Sequence, residues 1–242
     1  MAIVDSWAVL EGPIGPLYIA WGPAGVTLVE RAGDAAGFEL DATLRTGRAV
    51  TRVERVPVPL SRQITRQLGG EYQAALPLDF EGLTWFAGAA LRKTMEIPWG
   101  EVRPYSWIAR EIGRPLAVRA VGSTMARNPL PFVIPCHRVV RADGHIGEYG
   151  AGGPAAKRAM LATEDVDADE LDRLADSGVR FLGDAVTDVF CYPTCRNARE
   201  IALDHVVRFR SGEDALLAGY RGCALCRPAR IPRRLAGTPR HH

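Results

Sequence analysis

The chain has 242 residues, 47% of them hydrophobic, and a formal net charge of +2. It is too long for one small module, so two or three domains with sizeable cores are expected. No apolar run approaches membrane-spanning length and no charged-then-apolar leader opens the chain, so no membrane partner is expected and a cytoplasmic protein with reduced thiols is.

The near-neutral total hides local asymmetry. Residues 164–188 carry nine acids and two arginines, whereas residues 189–242 carry ten arginines and four acids. Residues 83–150 carry nine basic and five acidic residues. Two basic blocks around an acidic one suit a polyanionic partner, which responds to local rather than total charge. Lysine occurs only twice, at Lys93 and Lys157.

In chain order, residues 7–10, 17–21 and 26–29 are strand-like runs, separated by Pro13-Ile14-Gly15-Pro16 and Gly22-Pro23-Ala24-Gly25. That pattern predicts a short antiparallel meander. Residues 31–58 are expected to hold a helix and a further strand ending near Val56. Residues 61–68 read as a short helix stopped by Gly69-Gly70, and nothing in the first 80 residues carries chemistry.

Beyond Asp79 the pattern turns helical. Thr84 is suited to cap a helix running to about Glu96, which Pro98 ends. Ser106 is suited to cap a second helix over 107–112, closed by Gly113, and Pro115 suits the first turn of a third, running to about Ala126. The last two make a helix-turn-helix candidate, although by spacing alone ordinary packing explains such a pair equally well. The third helix is built of small residues with Arg119 as its only charge. Such a face serves either close packing or approach to a narrow groove. Residues 155–163 have helical spacing again, and Glu164 closes that segment at a position more often held by a surface carboxylate. The acidic stretch 165–188 is expected to be a linker with a short helix over 170–175.

Ile134-Pro135-Cys136-His137-Arg138-Val139-Val140 stands out because it sets a thiol beside an imidazole between two apolar runs. A lone cysteine is usually a buried, inert apolar residue. Here Pro129, Pro131 and Pro135 stiffen the backbone that presents it. A neighbouring histidine can also favour the thiolate, the form that attacks. Cys136 is therefore a candidate nucleophile.

Pro135-Cys136-His137-Arg138, preceded by Asn128-Pro129-Leu130-Pro131, resembles the acceptor motif of the O6-alkylguanine-DNA alkyltransferases, and the resemblance extends over roughly residues 5–164. It implies an α/β N-terminal domain of RNase H-like type over 1–80 and a helical, winged-helix-like DNA-binding domain over 81–164. In that family a cysteine takes the alkyl group from guanine O6 in one irreversible displacement. By position, Cys136 corresponds to the acceptor, His137 to the base acting through a water, and Glu164 to the carboxylate that orients the histidine. Tyr105 corresponds to the phenol donating to the departing guanine, and Asn128 to the residue bonding near the acceptor turn. Arg119 corresponds to the finger that fills the place of a flipped nucleotide, with Ala117, Gly122, Ser123 and Arg138 on the DNA-binding side. The implied partner is double-stranded DNA carrying an alkylated guanine, and a monomer is expected. The rival reading is a lesion sensor or regulator that binds DNA without alkyl transfer.

The other four cysteines form a CxxxC pair, Cys191 and Cys195, and a CxxC pair, Cys223 and Cys226, with 27 residues between them. That spacing in a reducing compartment reads as one tetrahedral zinc site. A module this small draws much of its folding energy from the metal. Residues 189–230 resemble the Ada metal-binding domain, a small zinc-stabilised α+β module, here followed by a basic tail over 231–242. In its best-known members the first cysteine also accepts a methyl group from a DNA phosphotriester. By position that is Cys191, although Tyr192 stands where those members have an arginine.

Overall fold

A computed structural model describes residues 4–228. Within it, the residues up to Val140 together with Ile146–Asp167 form one compact unit, and Arg141–His145 together with the residues from Ala168 form a second. The expected tail over 231–242 lies outside the described residues, as do the last two positions of the expected zinc module.

The first unit opens with the predicted meander, β1 (Asp5–Gly12), β2 (Gly15–Gly22) and β3 (Gly25–Arg31), paired antiparallel. The stretch after it holds helix α1 (Ala35–Thr46) and strand β4 (Val50–Arg52). β4 lies parallel to β1 and ends earlier than the sequence suggested, so the sheet runs β3-β2-β1-β4. Asp34 caps α1 through its side chain, and Gly47 ends it at φ 67°. Phe38 and Ala42 on α1 pack onto Trp7, Ala20 and Leu28 of the sheet. Helix α2 (Val58–Leu68) starts three residues before the predicted Ser61, because Pro57 and Pro59 supply a ready first turn.

Three helices follow: α3 (Trp85–Met95), capped by Thr84 as predicted, α4 (Tyr105–Glu111) and α5 (Val118–Ala126). Two predicted starts shift. Pro104, not Ser106, stands at the N-cap of α4, so Tyr105 is its first residue. Ala117 is the N-cap of α5, leaving Pro115 in the preceding turn. Cys136–Arg138 form a single 3-10 turn, leading into β6 (Val139–Val140), which pairs in parallel with β5 (Arg103–Pro104). Helix α6 (Gly153–Ala162) carries Lys157 and ends just before Glu164.

In the second unit, residues 165–188 are not the expected linker. They carry α7 (Ala168–Asp176) and β7 (Phe181–Asp184), and β7 lies between β8 (Val189–Cys191) and β9 (Val206–Phe209) in the sheet. The physical reason is apolar: Phe181 packs against the Phe190–Phe209–Ala215 core, so the acidic run is interrupted by residues that must be covered. Short helices α8 (Arg196–Arg199) and α9 (Gly212–Leu217) and strand β10 (Arg221–Gly222) complete a sheet of order β10-β8-β7-β9. Among the described residues no helix is long and apolar enough to cross a membrane.

Candidate functional site

The segment between α5 and Cys136 is wound by its own side chains and by its neighbours. Pro129 keeps Asn128 out of helical geometry. The Asn128 carboxamide then serves three groups: Oδ1 accepts from Leu130 N at 3.0 Å, while Nδ2 lies 3.3 Å from the Ile134 carbonyl and 3.2 Å from Cys136 Sγ. Phe132 is buried at φ 70°, a conformation that a bulky residue holds only when its surroundings enforce it. Part of that enforcement comes from the N-terminal residues: Val29 N on β3 donates to Pro129 O at 2.9 Å, and Gln67 Nε2 on α2 donates to Val133 O at 3.2 Å.

Next to the thiol lies a buried charge network. Glu164, 1% exposed, accepts from His137 Nε2 at 2.7 Å and from Arg138 Nε at 2.8 Å. It also accepts from Arg138 Nη2 and from Gly100 N, each at 3.0 Å. Arg138 further donates to Ile97 O at 2.7 Å and stacks over Trp99. The close fit of Trp99 explains Gly70: at φ +92°, a Cβ there would stand 2.6 Å from the indole. Burial pushes Glu164 up, but the hydrogen bonds from His137 and Arg138 outweigh it and hold the carboxyl at about 2. Burial pushes His137 down, toward the neutral ring. An ionised carboxylate can only accept, so the neutral imidazole must carry its proton on Nε2. His137 Nδ1 is then a bare lone pair, and it has no hydrogen-bond partner among the described residues.

Burial pushes the Cys136 thiol up, against the opposing pull of Asn128 and Lys157. Cys136 borders a pocket of about 110 Å³ together with Tyr105, Gly122, Glu148 and Tyr149. Burial, then the nearby Cys136 and Glu148, push the Tyr105 phenol up, so it is a proton donor. The Tyr149 hydroxyl lies beside the thiol without reaching hydrogen-bond geometry to any atom of the described residues. A second space of about 830 Å³ touches Cys136 from the side of β3.

The fold thus gathers Tyr105, the Asn128–His137 segment and Glu164, three stretches that lie far apart in sequence. The exposed side of α5 carries Arg119 and Ser123, with Gly122 half-buried and open space where its Cβ would stand. Ala117 is half-buried at the start of that helix. Arg138 departs from expectation: 6% exposed and bound to Glu164, it belongs to the buried network and not to a DNA-facing surface. Sequence reasoning missed Lys157 as a site residue. Fully buried, its Nζ donates to Val139 O at 2.6 Å, Ile146 O at 2.5 Å and Glu148 O at 3.2 Å. It thereby clamps the strand after Cys136 to the loop that forms the pocket wall. A lysine shortly before Met160-Leu161, in a chain with only one other lysine, was the available signal.

In the second unit Cys191 ends β8, Cys195 is the N-cap of α8, and Cys223 and Cys226 follow β10. All four are buried, and their Sγ atoms lie within 4.8 Å of one another. A tetrahedral zinc with Zn–S near 2.3 Å needs sulfurs roughly 4 Å apart, so the donor set fits that ion. Cys191 also lines a cavity of about 410 Å³ with Asn197, Arg221 and Asp184.

The first unit thus holds a buried cysteine beside a His–Glu–Arg network and the second a cluster of four cysteines, and each has known relatives. Residues 85–166 match the family described as 6-O-methylguanine DNA methyltransferase, DNA binding domain, and residues 171–229 match the metal binding domain of Ada. The methylated-DNA--protein-cysteine methyltransferase of Mus musculus is 34% identical over 177 residues, covering 66% of this chain and 82% of the mouse protein. That of Methanosarcina acetivorans is 34% identical over 147 residues, covering 60% and 90% respectively. Among solved structures, Mycobacterium tuberculosis OGT in complex with DNA aligns with a TM-score of 0.54 at 31% identity, over 70% of this chain and 98% of that one. The O6-methylguanine-DNA methyltransferase of Pyrococcus kodakaraensis aligns with a TM-score of 0.52 at 27% identity, over 67% and 99%. The chain belongs to the methylated-DNA--protein-cysteine methyltransferase family.

The network makes stability pH-dependent. Glu164 and His137 both have depressed values in the fold, so both contribute stability that is lost as pH falls. The loss from His137 starts below its unfolded value of about 6.5, and that from Glu164 runs from about 4.3 downward. Denaturant titrations of Glu164→Gln should show lower stability at pH 7, by on the order of 3 kcal/mol, and a flatter decline as pH falls below about 4. Equal pH slopes for the variant and the wild type would show that this carboxylate is not the linked group.

Proposed function

We propose that the chain repairs DNA by transferring the alkyl group of O6-alkylguanine to Cys136, each molecule acting once. The observation that carries this reading is a pocket bordered by both Cys136 and Tyr105, beside a histidine whose free nitrogen is Nδ1. On this reading the N-terminal residues form the RNase H-like domain and α3–α6 the winged-helix-like domain, and the protein works on duplex DNA as a monomer.

An alkyl carbon on a stacked base is out of reach inside a duplex, so the nucleotide is extruded, at about a few kcal/mol. The small residues along the exposed side of α5 let the backbone approach a groove, and Arg119 fills the place of the extruded base. The Cys136 proton passes through a water to His137 Nδ1, and Glu164 stabilises the imidazolium that results. The thiolate attacks the alkyl carbon, the C–O6 bond breaks, and its electron pair goes to the guanine. Tyr105 donates to the purine as that charge develops. The product thioether does not hydrolyse, which makes the reaction stoichiometric. Asn128 holds the sulfur in line, and Arg138 acts as a positioning residue through Glu164.

Cys191, Cys195, Cys223 and Cys226 would hold one zinc ion, which supplies folding energy to the second unit and keeps the sulfurs as thiolates. The cavity beside Cys191, with the Arg221 cation and the Asn197 amide in its wall, favours a second reading for this unit. There Cys191 accepts a methyl group from a DNA phosphotriester, whose uncharged methylated phosphate would lie toward Arg221.

Intact mass spectrometry after incubation with duplex containing O6-methylguanine should show one added methyl on the wild type and none on Cys136→Ala. DNA carrying methyl phosphotriesters should add a second methyl that Cys191→Ala abolishes. Unmodified wild-type protein with persisting lesions would leave the lesion-sensor reading in its place. Metal analysis should give one zinc per chain. Chelation should release four thiols to a colorimetric titrant and lower the melting temperature of the second unit; a melting curve indifferent to chelation would rule out a structural ion.

A further inference from the structure

Two polar atoms near the thiol are buried without a hydrogen-bond partner among the described residues: His137 Nδ1 and the Tyr149 hydroxyl. Both residues are almost fully enclosed, His137 at 1% exposed and Tyr149 at 6%. The Tyr149 ring is fixed from two sides. It stands edge to face against Phe132, with centroids 6.2 Å apart at 88°, and against His137, at 6.2 Å and 87°. Phe132, the residue held at φ 70°, is thus one of the two that set this ring. The backbone leading to it is held as well, because Lys157 Nζ donates to the carbonyls of Ile146 and Glu148.

A buried polar group is nearly always paired, with protein or with an ordered water. A buried water in turn needs about two to four polar partners. The Cys136 S–H, His137 Nδ1 and the Tyr149 hydroxyl supply three: a proton to give, a lone pair to take one, and a group able to do either. We propose that Tyr149 is a positioning residue for the proton relay, its hydroxyl holding the water that carries the Cys136 proton to His137 Nδ1. This rests on the alkyl-transfer reading above. The water accepts the proton of the sulfur and gives one of its own to Nδ1, so the water is regenerated and the net products are thiolate and imidazolium. The Tyr149 O–H donates to the water oxygen. That bond leaves the water one lone pair, which faces S–H, and so fixes the direction of transfer. Burial pushes the Tyr149 phenol up, so the hydroxyl keeps its own proton. The two phenols of the pocket then divide the work, Tyr149 serving the sulfur and Tyr105 the base.

The test uses the full chain and duplex DNA containing O6-methylguanine. Single-turnover rates are read by adduct mass from about pH 6 to about pH 9, across the histidine and thiol ranges. Tyr149→Phe keeps the ring and removes only the hydroxyl. It should slow transfer at neutral pH by about tenfold or more, a part of what a positioned base contributes. His137→Ala should slow it at least as much. The double variant should match His137→Ala within about twofold, since both changes break one relay. The wild-type rate should be flat above neutrality, whereas that of Tyr149→Phe should climb with pH, because its thiolate then comes from hydroxide in solution. A Tyr149→Phe rate equal to wild type overturns the proposal. A slow variant with a flat pH profile also overturns it, because the loss is then one of packing. Losses that multiply in the double variant do the same, placing the hydroxyl on the base and not on the relay. Absence of transfer by the wild type overturns the functional reading itself, and this proposal with it.

Discussion

The Glu164 carboxylate is the buried charge around which the first unit is arranged. It comes from the end of α6, yet it collects donors from Gly100, from His137 and from Arg138. A buried carboxylate is tolerable only when its lone pairs are satisfied, and these contacts do so with charge-assisted bonds. The consequence for chemistry is a matter of tautomers. Because Glu164 must accept, His137 must donate from Nε2, and the nitrogen left able to take a proton is Nδ1. Arg138 matters to that choice although it touches neither the thiol nor the pocket: with His137, it offsets the burial that pushes the carboxyl up.

The N-terminal residues contribute no reacting group, yet they are not a passive attachment. The loop from Asn128 to Pro135 holds Phe132 in a strained conformation, and a loop left to itself would relax. The bonds from Val29 to Pro129 and from Gln67 to Val133 are two of the restraints that prevent this. The meander supplies a rigid edge to which the acceptor segment is fastened, and α2 a buried amide that fixes its midpoint. Lys157 does the same from the other side, holding β6 against the 146–148 loop through three carbonyls.

Much of this was legible in sequence, for reasons that differ by element. The meander could be read because glycine and proline mark its turns, and the four-cysteine cluster because the spacing admits few other uses. Cys136 and its neighbour His137 could be picked out from local context, whereas the place of Asn128 in the site came from the resemblance. Glu164 could be assigned only by resemblance, since nothing local distinguishes a buried carboxylate from a surface one. Arg138 was misplaced for the matching reason: an arginine in a basic region looks DNA-facing until its partner is seen to lie 26 residues away. The supposed linker failed because net charge over a window hides short apolar runs such as Phe181-Leu182, which form a strand. Helix starts at α2, α4 and α5 slipped by a few residues, as prolines and side-chain caps compete for the same role.

A buried thiol with a raised pKa is at first sight a poor nucleophile, and for a protein that acts once this is an advantage. An exposed thiolate would be consumed by any electrophile or oxidant before it met a lesion. Cys136 is 4% exposed and held neutral by its surroundings, so at rest it is protected from both. Reactivity then has to arise when the pocket is filled. In the reaction proposed above, a base seated against Tyr105 would bring the soft carbon into contact with sulfur and exclude bulk water. The proton need only travel to a histidine nitrogen that the Glu164 network has already left bare. The same burial that raises the thiol's pKa also lowers the dielectric in which the displacement takes place. Charge developing on the guanine is then met by a phenol that does not itself ionise at neutral pH. In the proposed reaction burial, proton acceptor and proton donor are therefore one arrangement: removing any of them would leave a cysteine that is either inert in the presence of damage or spent in its absence.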